Sequence, residues 1–260
     1  MNKNNLVIAN FKMKLSSKSE VDSWLMNFKK AAKDLKLKDT EVVFGAPTIF
    51  FSDFLKLVEG NENFSLGAQN CFWEDSGAFT GEVSAKMIAS MKGQFVILGH
   101  SERRKYFGER NSEIYQKVES AIKNRLTPIV CIGENKEEKE QDLTKEVVLS
   151  QLNKILGEIG PGKIEKIVLC YEPVWAISAN NPEKPPTSNE IMEARLLIKK
   201  FLVAKYGEST AKRVKIIYGG SVDQKNVEET CLESGMEGAL VGSCSTKPYD
   251  FIKVIKTFEN

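Results

Sequence analysis

No C-x-x-C pair occurs among the five cysteines (Cys71, Cys131, Cys170, Cys231 and Cys244), and their odd number and wide scatter disfavour both a disulfide framework and a zinc site. Buried, reduced thiols are expected. No apolar run approaches the roughly 20 residues of a membrane span. Residues 1–12 also lack a charged segment leading into a long apolar stretch, and no small-residue cleavage site follows. A cytoplasmic protein without membrane contact is the expectation. Charge of one sign is missing as well: 37 Lys and Arg stand against 35 Asp and Glu, spread along the chain for a net +2. That leaves no basic face for nucleic acid or lipid, so any anionic partner is small and locally bound. Histidine is nearly absent, occurring once as His100.

What is present is apolar material for a sizeable core, 42% of the chain, in short β-branched runs at fairly even intervals. They are Leu6 to Ala9, Val42 to Gly45, Phe64 to Ala68, Phe95 to Leu98, Pro128 to Ile132, Ile167 to Tyr171, Val214 to Tyr218 and Ala239 to Val241. Continuous rather than alternating, they read as parallel strands covered on both faces. Helical segments lie between them. The first carries Val21, Trp24, Leu25, Phe28 and Ala32 three and four apart behind a Ser17-x-x-Glu20 capping box. The longest, from about Glu190 to Tyr206, follows a Thr187-x-x-Glu190 box and stops at Gly207, which suits a left-handed cap. Length admits two small domains or one α/β barrel, whose usual size is about 250 residues. Strand then helix, eight times over and without a linker, predicts one (β/α)8 barrel across residues 1–260, with an open doubly wound sheet as the alternative.

In such a barrel the working residues follow the C-terminal ends of the strands, where the loops converge. The residues at those positions are Asn10 and Lys12, His100, Glu172, Gly219-Gly220-Ser221, and Gly242-Ser243. A carboxylate can remove a proton next to a carbonyl, an imidazole can hydrogen-bond the carbonyl oxygen, and an ammonium can stabilise the negative charge that develops. Glycine-rich turns leave backbone N–H groups to grip a phosphate. Taken singly, each is weak: most lysines are solvated charges, and Gly219-Gly220 is commonly just a tight turn. Their weight lies in falling on one end of the same barrel.

Longer blocks are more specific: Ala9-Asn10-Phe11-Lys12-Met13, Gly77-Ala78-Phe79-Thr80-Gly81-Glu82, Leu98-Gly99-His100-Ser101-Glu102-Arg103-Arg104, Cys131-Ile132-Gly133-Glu134, Tyr171-Glu172-Pro173-Val174-Trp175-Ala176-Ile177 and Tyr218-Gly219-Gly220-Ser221-Val222. In this order, over essentially the whole chain, they resemble the triosephosphate isomerase family. The resemblance implies a cofactor-free and metal-free isomerase of glycolysis and gluconeogenesis that interconverts dihydroxyacetone phosphate and glyceraldehyde 3-phosphate. By that resemblance Glu172 is the base that moves the carbon-bound proton. His100 is a neutral electrophile, its pKa lowered by the start of a helix at Ser101 and Glu102, as is the rule for this family. Lys12 supplies charge, Asn10 orients the substrate, Glu102 supports Lys12, and Cys131 packs near Glu172. The phosphate rests on backbone N–H groups of Ser178, Ser221, Gly242 and Ser243, with Gly219 and Gly220 supporting.

The resemblance also implies a lid that begins with Pro173, Val174, Trp175, Ala176, Ile177 and Ser178 and closes to exclude water. It implies a homodimer in which Phe79-Thr80-Gly81-Glu82 of one subunit inserts beside Asn10 and Lys12 of the other. Some positions depart from the family pattern. Beyond Ile177 the family typically reads Gly-Thr-Gly-Lys, whereas Ser178-Ala179-Asn180-Asn181 stands here before an apparent insertion, Pro182-Glu183-Lys184-Pro185-Pro186. A stiffer lid is expected, because serine narrows the backbone angles and the prolines restrict the hinge. Phe11 replaces a usual Trp, Lys14-Leu15 the usual Asn-Gly, and Ser243 a typical Gly.

Other readings are weighed by the same residues. A serine hydrolase fails because Gly99-His100-Ser101-Glu102-Arg103 lacks the closing glycine of a nucleophile elbow. A P-loop fails because Ile164, with no hydroxyl for magnesium, follows Gly162-Lys163. A barrel acting on another phosphosugar, or one that has lost catalysis, is compatible with the fold alone. Intact Asn10, Lys12, His100 and Glu172 argue against the second.

Overall fold

The computed structural model describes residues 3–177 and 185–259. The apolar runs form β1 (Asn5–Asn10), β2 (Thr40–Ala46), β3 (Phe64–Ala68), β4 (Phe95–Leu98), β5 (Thr127–Ile132), β6 (Val168–Tyr171), β7 (Lys215–Tyr218) and β8 (Gly238–Val241). Each pairs in parallel with the next, and Leu6 to Ala9 of β1 align with Gly238 to Val241 of β8. The sheet therefore closes on itself, and the open alternative is excluded. Successive strand side chains point to opposite faces. Leu6, Ile8, Val43, Ile97, Ile129, Cys131, Ile217 and Leu240 consequently fill the barrel interior. Val7, Val42, Phe44, Val96, Val130 and Ile216 face outward into the layer beneath the helices. Because the interior is packed with side chains, a ligand site belongs at one end rather than in the middle.

The helices are α1 (Lys18–Ala31), α2 (Phe51–Val58), α3 (Ala85–Ser90), α4 (Ser101–Phe107), α5 (Asn111–Lys123), α6 (Lys136–Glu140), α7 (Thr144–Leu156), α8 (Pro161–Ile164), α9 (Ser188–Tyr206), α10 (Glu208–Arg213) and α11 (Pro248–Glu259). In α1 the buried stripe is Val21, Trp24 and Phe28, packed with Phe11, whose ring lies 4.8 Å from that of Trp24 and 4.9 Å from that of Phe54. A phenylalanine thus fills the expected Trp position while staying fully buried. Among the described residues no helix is long and apolar enough to cross a membrane.

Local details differ from the sequence reading at three points. Ser17 caps α1 as expected, but the Glu20 carboxylate turns back to the Ser16 N–H at 2.7 Å, one residue further out. Gly207 has φ +82° and ψ 159°, so it is not the left-handed cap expected. It also opens α10, and an extended ψ is what lets the chain leave one helix and enter the next. Finally, the connection from β7 to β8 carries a π-helical turn, Glu228–Glu233, in place of a regular helix.

Candidate active site

The C-terminal strand ends meet around a cavity of about 480 Å³ lined by Asn10, Lys12, His100, Glu102, Glu172, Gly219, Gly220, Ser221, Gly242 and Ser243, among others. Every described residue expected to contact the substrate is therefore brought to one mouth. Ser178 lies outside the described residues.

The turn out of β4 is set by Gly99, whose φ of +69° suits a residue without a Cβ. Arg104 fixes this turn by donating to the carbonyls of Gly99 at 2.7 Å and Cys131 at 3.1 Å. His100 then caps α4, its Nδ1 accepting from the Glu102 N–H at 3.3 Å. A nitrogen that accepts there carries no proton, so a neutral ring is the Nε2–H tautomer. That Nε2 faces Glu172 Oε1 at 3.0 Å. Glu172, the first residue after β6, is only 2% exposed and also accepts from Ser101 N at 3.0 Å and Ser101 Oγ at 3.1 Å.

Burial alone would raise the Glu172 carboxyl, but the facing imidazole and the two Ser101 donors outweigh it and hold the pKa below the ordinary value. Burial would likewise lower His100, but the Glu172 carboxylate, with Glu102 behind it, raises the ring above its ordinary value. The expectation of a depressed His100 is thus reversed in this arrangement. The helix start does donate to the ring, yet an ionised carboxylate in direct contact is the stronger influence.

These shifts set a pH dependence. A raised His100 contributes stability that is complete below its ordinary value of 6.5 and is lost as pH rises through the folded pKa. A lowered Glu172 contributes stability that is complete above its ordinary value of 4.5 and is lost as pH falls through the folded pKa. The thermal midpoint of the wild type minus that of Glu172→Gln is therefore expected to peak between these two values and shrink on either side. A difference that stays flat from pH 4 to 9 would count against the pairing.

Lys12 occupies φ +52°, a strained choice for a side chain of its size. Its N–H donates to Asn10 Oδ1 at 3.1 Å, and its carbonyl accepts from Gln69 Nε2 at 3.0 Å. Nζ lies 2.7 Å from Glu102 Oε1, so the lysine and its carboxylate partner face the cavity as a pair. Gln69 is absent from the expected set, and Ser101 enters it only as the start of the helix after His100, not as a donor to Glu172. Gln69 directly follows β3, and the rule that picked out the other strand-end residues would have found it. Cys131 pairs in register with Cys170 beneath the site, and contact with that thiol and burial push its pKa well up, which makes it an inert packing group.

Residues 173–177 are tethered from several sides. The buried carboxylate of Glu134 accepts from Trp175 Nε1 at 2.8 Å and Tyr171 OH at 3.1 Å, while its carbonyl accepts from Val174 N at 2.9 Å. Ser221 Oγ donates to the Ala176 carbonyl at 2.9 Å. Pro173 precedes this turn, and Ile177 lines the cavity. The lid tip expected at Ser178-Ala179-Asn180-Asn181 and most of the insertion lie outside the described residues. On the β3 loop Phe79 is 43% exposed, and Met13 beside Lys12 is 92% exposed.

A buried carboxylate against an imidazole, a cation above them and glycine-rich turns around the rim suit proton transfer on a small anion. The family model of triosephosphate isomerase matches residues 5–258. A relative named triosephosphate isomerase from Dictyoglomus turgidum is 40% identical over 252 residues, covering 97% of this chain and 98% of its own. Relatives of the same name from Thermoanaerobacter sp. (strain X514) and Lactobacillus delbrueckii subsp. lactis are 38% and 37% identical, covering 96% and 98% of this chain and 98% of each relative.

Proposed function

The chain belongs to the triosephosphate isomerase family, and from that premise we propose that it interconverts dihydroxyacetone phosphate and D-glyceraldehyde 3-phosphate through an enediolate. It is an isomerase, and its reaction serves glycolysis and gluconeogenesis. The carrying observation is the buried Glu172 carboxylate 3.0 Å from His100 Nε2 at the mouth that Lys12 and the glycine turns share.

Glu172 takes the proton from C1 of dihydroxyacetone phosphate, and the C–H electrons move through C2 onto the carbonyl oxygen. His100 Nε2–H donates to that oxygen, and Lys12, steadied by Glu102, offsets the charge that gathers there. Asn10 orients the reacting carbons. The O1 hydroxyl proton then passes to O2, relayed at His100 Nε2, and Glu172 returns its proton to C2 while the O1 electrons close the C1 carbonyl of the aldehyde. As Glu172 becomes protonated, the main charge that raises His100 disappears; the Glu102 carboxylate still raises the ring, but burial, Lys12 and the Glu102 N–H favour its neutral form. His100 therefore works as a neutral hydrogen-bond donor in the reaction, even though Glu172 raises its pKa before substrate binds.

The phosphate sits on backbone N–H groups of Ser178, Ser221, Gly242 and Ser243, at turns where Gly219 and Gly220 keep the chain close. Residues 173–178 act as the first part of a lid. The exposed apolar groups on the β1 and β3 loops, Met13 and Phe79, support a homodimer through Phe79–Glu82. Turnover of both triose phosphates in coupled assays, by a species sedimenting at twice the 29.1 kDa chain mass, is the expected result. Absence of turnover with either substrate would overturn the reaction, and a fully active monomer would overturn the dimer.

A further inference from the structure

Two side-chain groups at the rim of the cavity have no part in the chemistry above: the ammonium of Lys14 and the hydroxyl of Ser243. Lys14 leaves β1 on the same turn as Lys12, and its Nζ donates to Ser243 Oγ at 3.2 Å, so the first and last strand ends meet there. Both side chains line the cavity. Between them runs Gly242, whose missing Cβ would stand 3.5 Å from Lys12 Cε, which puts the two lysines on neighbouring sides of one turn.

The lysines differ in the charge they leave for a ligand. Lys12 Nζ is answered by Glu102 at 2.7 Å. Lys14 has no carboxylate within ion-pair distance among the described residues, and its hydrogen-bond partner is a neutral hydroxyl. A serine oxygen that accepts from an ammonium still has its own proton to give. A phosphate monoester is close to a dianion at pH 7 and offers several acceptor oxygens. A cation without a counter-ion, on a flexible stem at the rim, suits it both as a contact and as a source of attraction at longer range.

We propose that Lys14 and the Ser243 hydroxyl form a side-chain arm of the phosphate site, adding affinity for the phosphate dianion to the grip of the backbone N–H groups. This rests on reading the β7 and β8 turns as the phosphate end. Lys14 acts on binding and not on the proton transfer, because its ammonium belongs to the rim while the carboxylate and imidazole lie buried beneath it.

Inorganic phosphate as a competitive inhibitor, and KM for dihydroxyacetone phosphate, read the arm directly. Lys14→Gln is expected to raise both constants about three- to fivefold, the range of a partly exposed ion pair, with the loss falling on KM and not on kcat. The weakening of phosphate binding with added salt is expected to be shallower than in the wild type. Lys14→Arg is expected to restore wild-type values, and Ser243→Ala to weaken phosphate about twofold by removing one hydrogen bond. A Lys14→Gln variant with wild-type phosphate inhibition and salt dependence would overturn the arm, as would a loss confined to kcat. The isomerase reading fails separately, if the wild type turns over neither triose phosphate. In that event calorimetric titration with inorganic phosphate still decides the arm: weaker binding by Lys14→Gln supports it, and equal binding overturns it.

Discussion

Replacing Glu172 with glutamine is expected to lower kcat by about 10³-fold, within the range a positioned general base contributes, while KM changes much less. Glutamine keeps the length, and its amide oxygen can still accept from His100 Nε2 and Ser101 Oγ, which now lie at 3.0 Å and 3.1 Å, while its NH2 group forfeits the Ser101 N–H bond now at 3.0 Å. It cannot accept a proton from carbon. The cavity and its phosphate end are untouched, so substrate should still bind and the defect fall on the chemical step. Glu172→Asp separates position from basicity: it retains the carboxylate but withdraws it by one methylene, with an expected loss of about 10²-fold for a misplacement near 1 Å. Full activity in either variant, measured in the coupled assay, would remove Glu172 from its role.

The second large effect concerns stability and the base together. At Gly133 a Cβ would lie 2.0 Å from the Glu172 carbonyl oxygen and 2.6 Å from its carbon, a contact neither chain can keep. Gly133 is not free to retreat. The Gln151 side chain on α7 brackets it, accepting from its N–H at 2.8 Å and donating to its carbonyl at 3.0 Å. On the far side, Glu172 N donates to the Ile132 carbonyl at 2.7 Å and Val174 N to the Glu134 carbonyl at 2.9 Å, so residues 172–174 are fastened to the same ledge. Gly133→Ala must therefore push Glu172 and the two residues after it aside. A loss of about 3 kcal/mol, the upper end for overpacking in a tight site, is expected in denaturant unfolding. The surviving folded fraction is expected to lose about 10²-fold in kcat. Gly162→Ala, where a Cβ meets nothing within 4 Å, is the control and is expected to be neutral or slightly stabilising. Equal behaviour of the two variants would show that the ledge does not hold Glu172.

Much of this was legible in the sequence because the barrel imposes a pattern on it. Strands buried on both faces leave uninterrupted apolar runs, and the observed limits depart from those runs by no more than two residues at any end. The rule that function follows strand C-termini then placed Asn10, Lys12, His100, Glu172, Ser221, Gly242 and Ser243 without knowledge of any distance. What it did not disclose are bonds between a side chain and a backbone far off in sequence. Ser101 to Glu172, Gln69 to Lys12 and Gln151 to Gly133 leave no periodicity behind. Each depends on two loops meeting only once the sheet has closed. The direction of the His100 shift belongs to the same class: the helix start beside it is visible in sequence, but the carboxylate that overrides it comes from residue 172. Gly207 departs from its expected cap for a local reason, since the same glycine that ends α9 also begins α10.

Solvent deuterium gives the most direct test of proton transfer by Glu172. When dihydroxyacetone phosphate is converted in D2O and the product examined by proton NMR, a carboxylate base that exchanges with solvent leaves deuterium at C2 of glyceraldehyde 3-phosphate. The wild type is expected to produce that label, and Glu172→Gln is expected to lose exchange and isomerisation together. Complete retention of the original carbon-bound proton by the wild type, or undiminished exchange in Glu172→Gln, would contradict it.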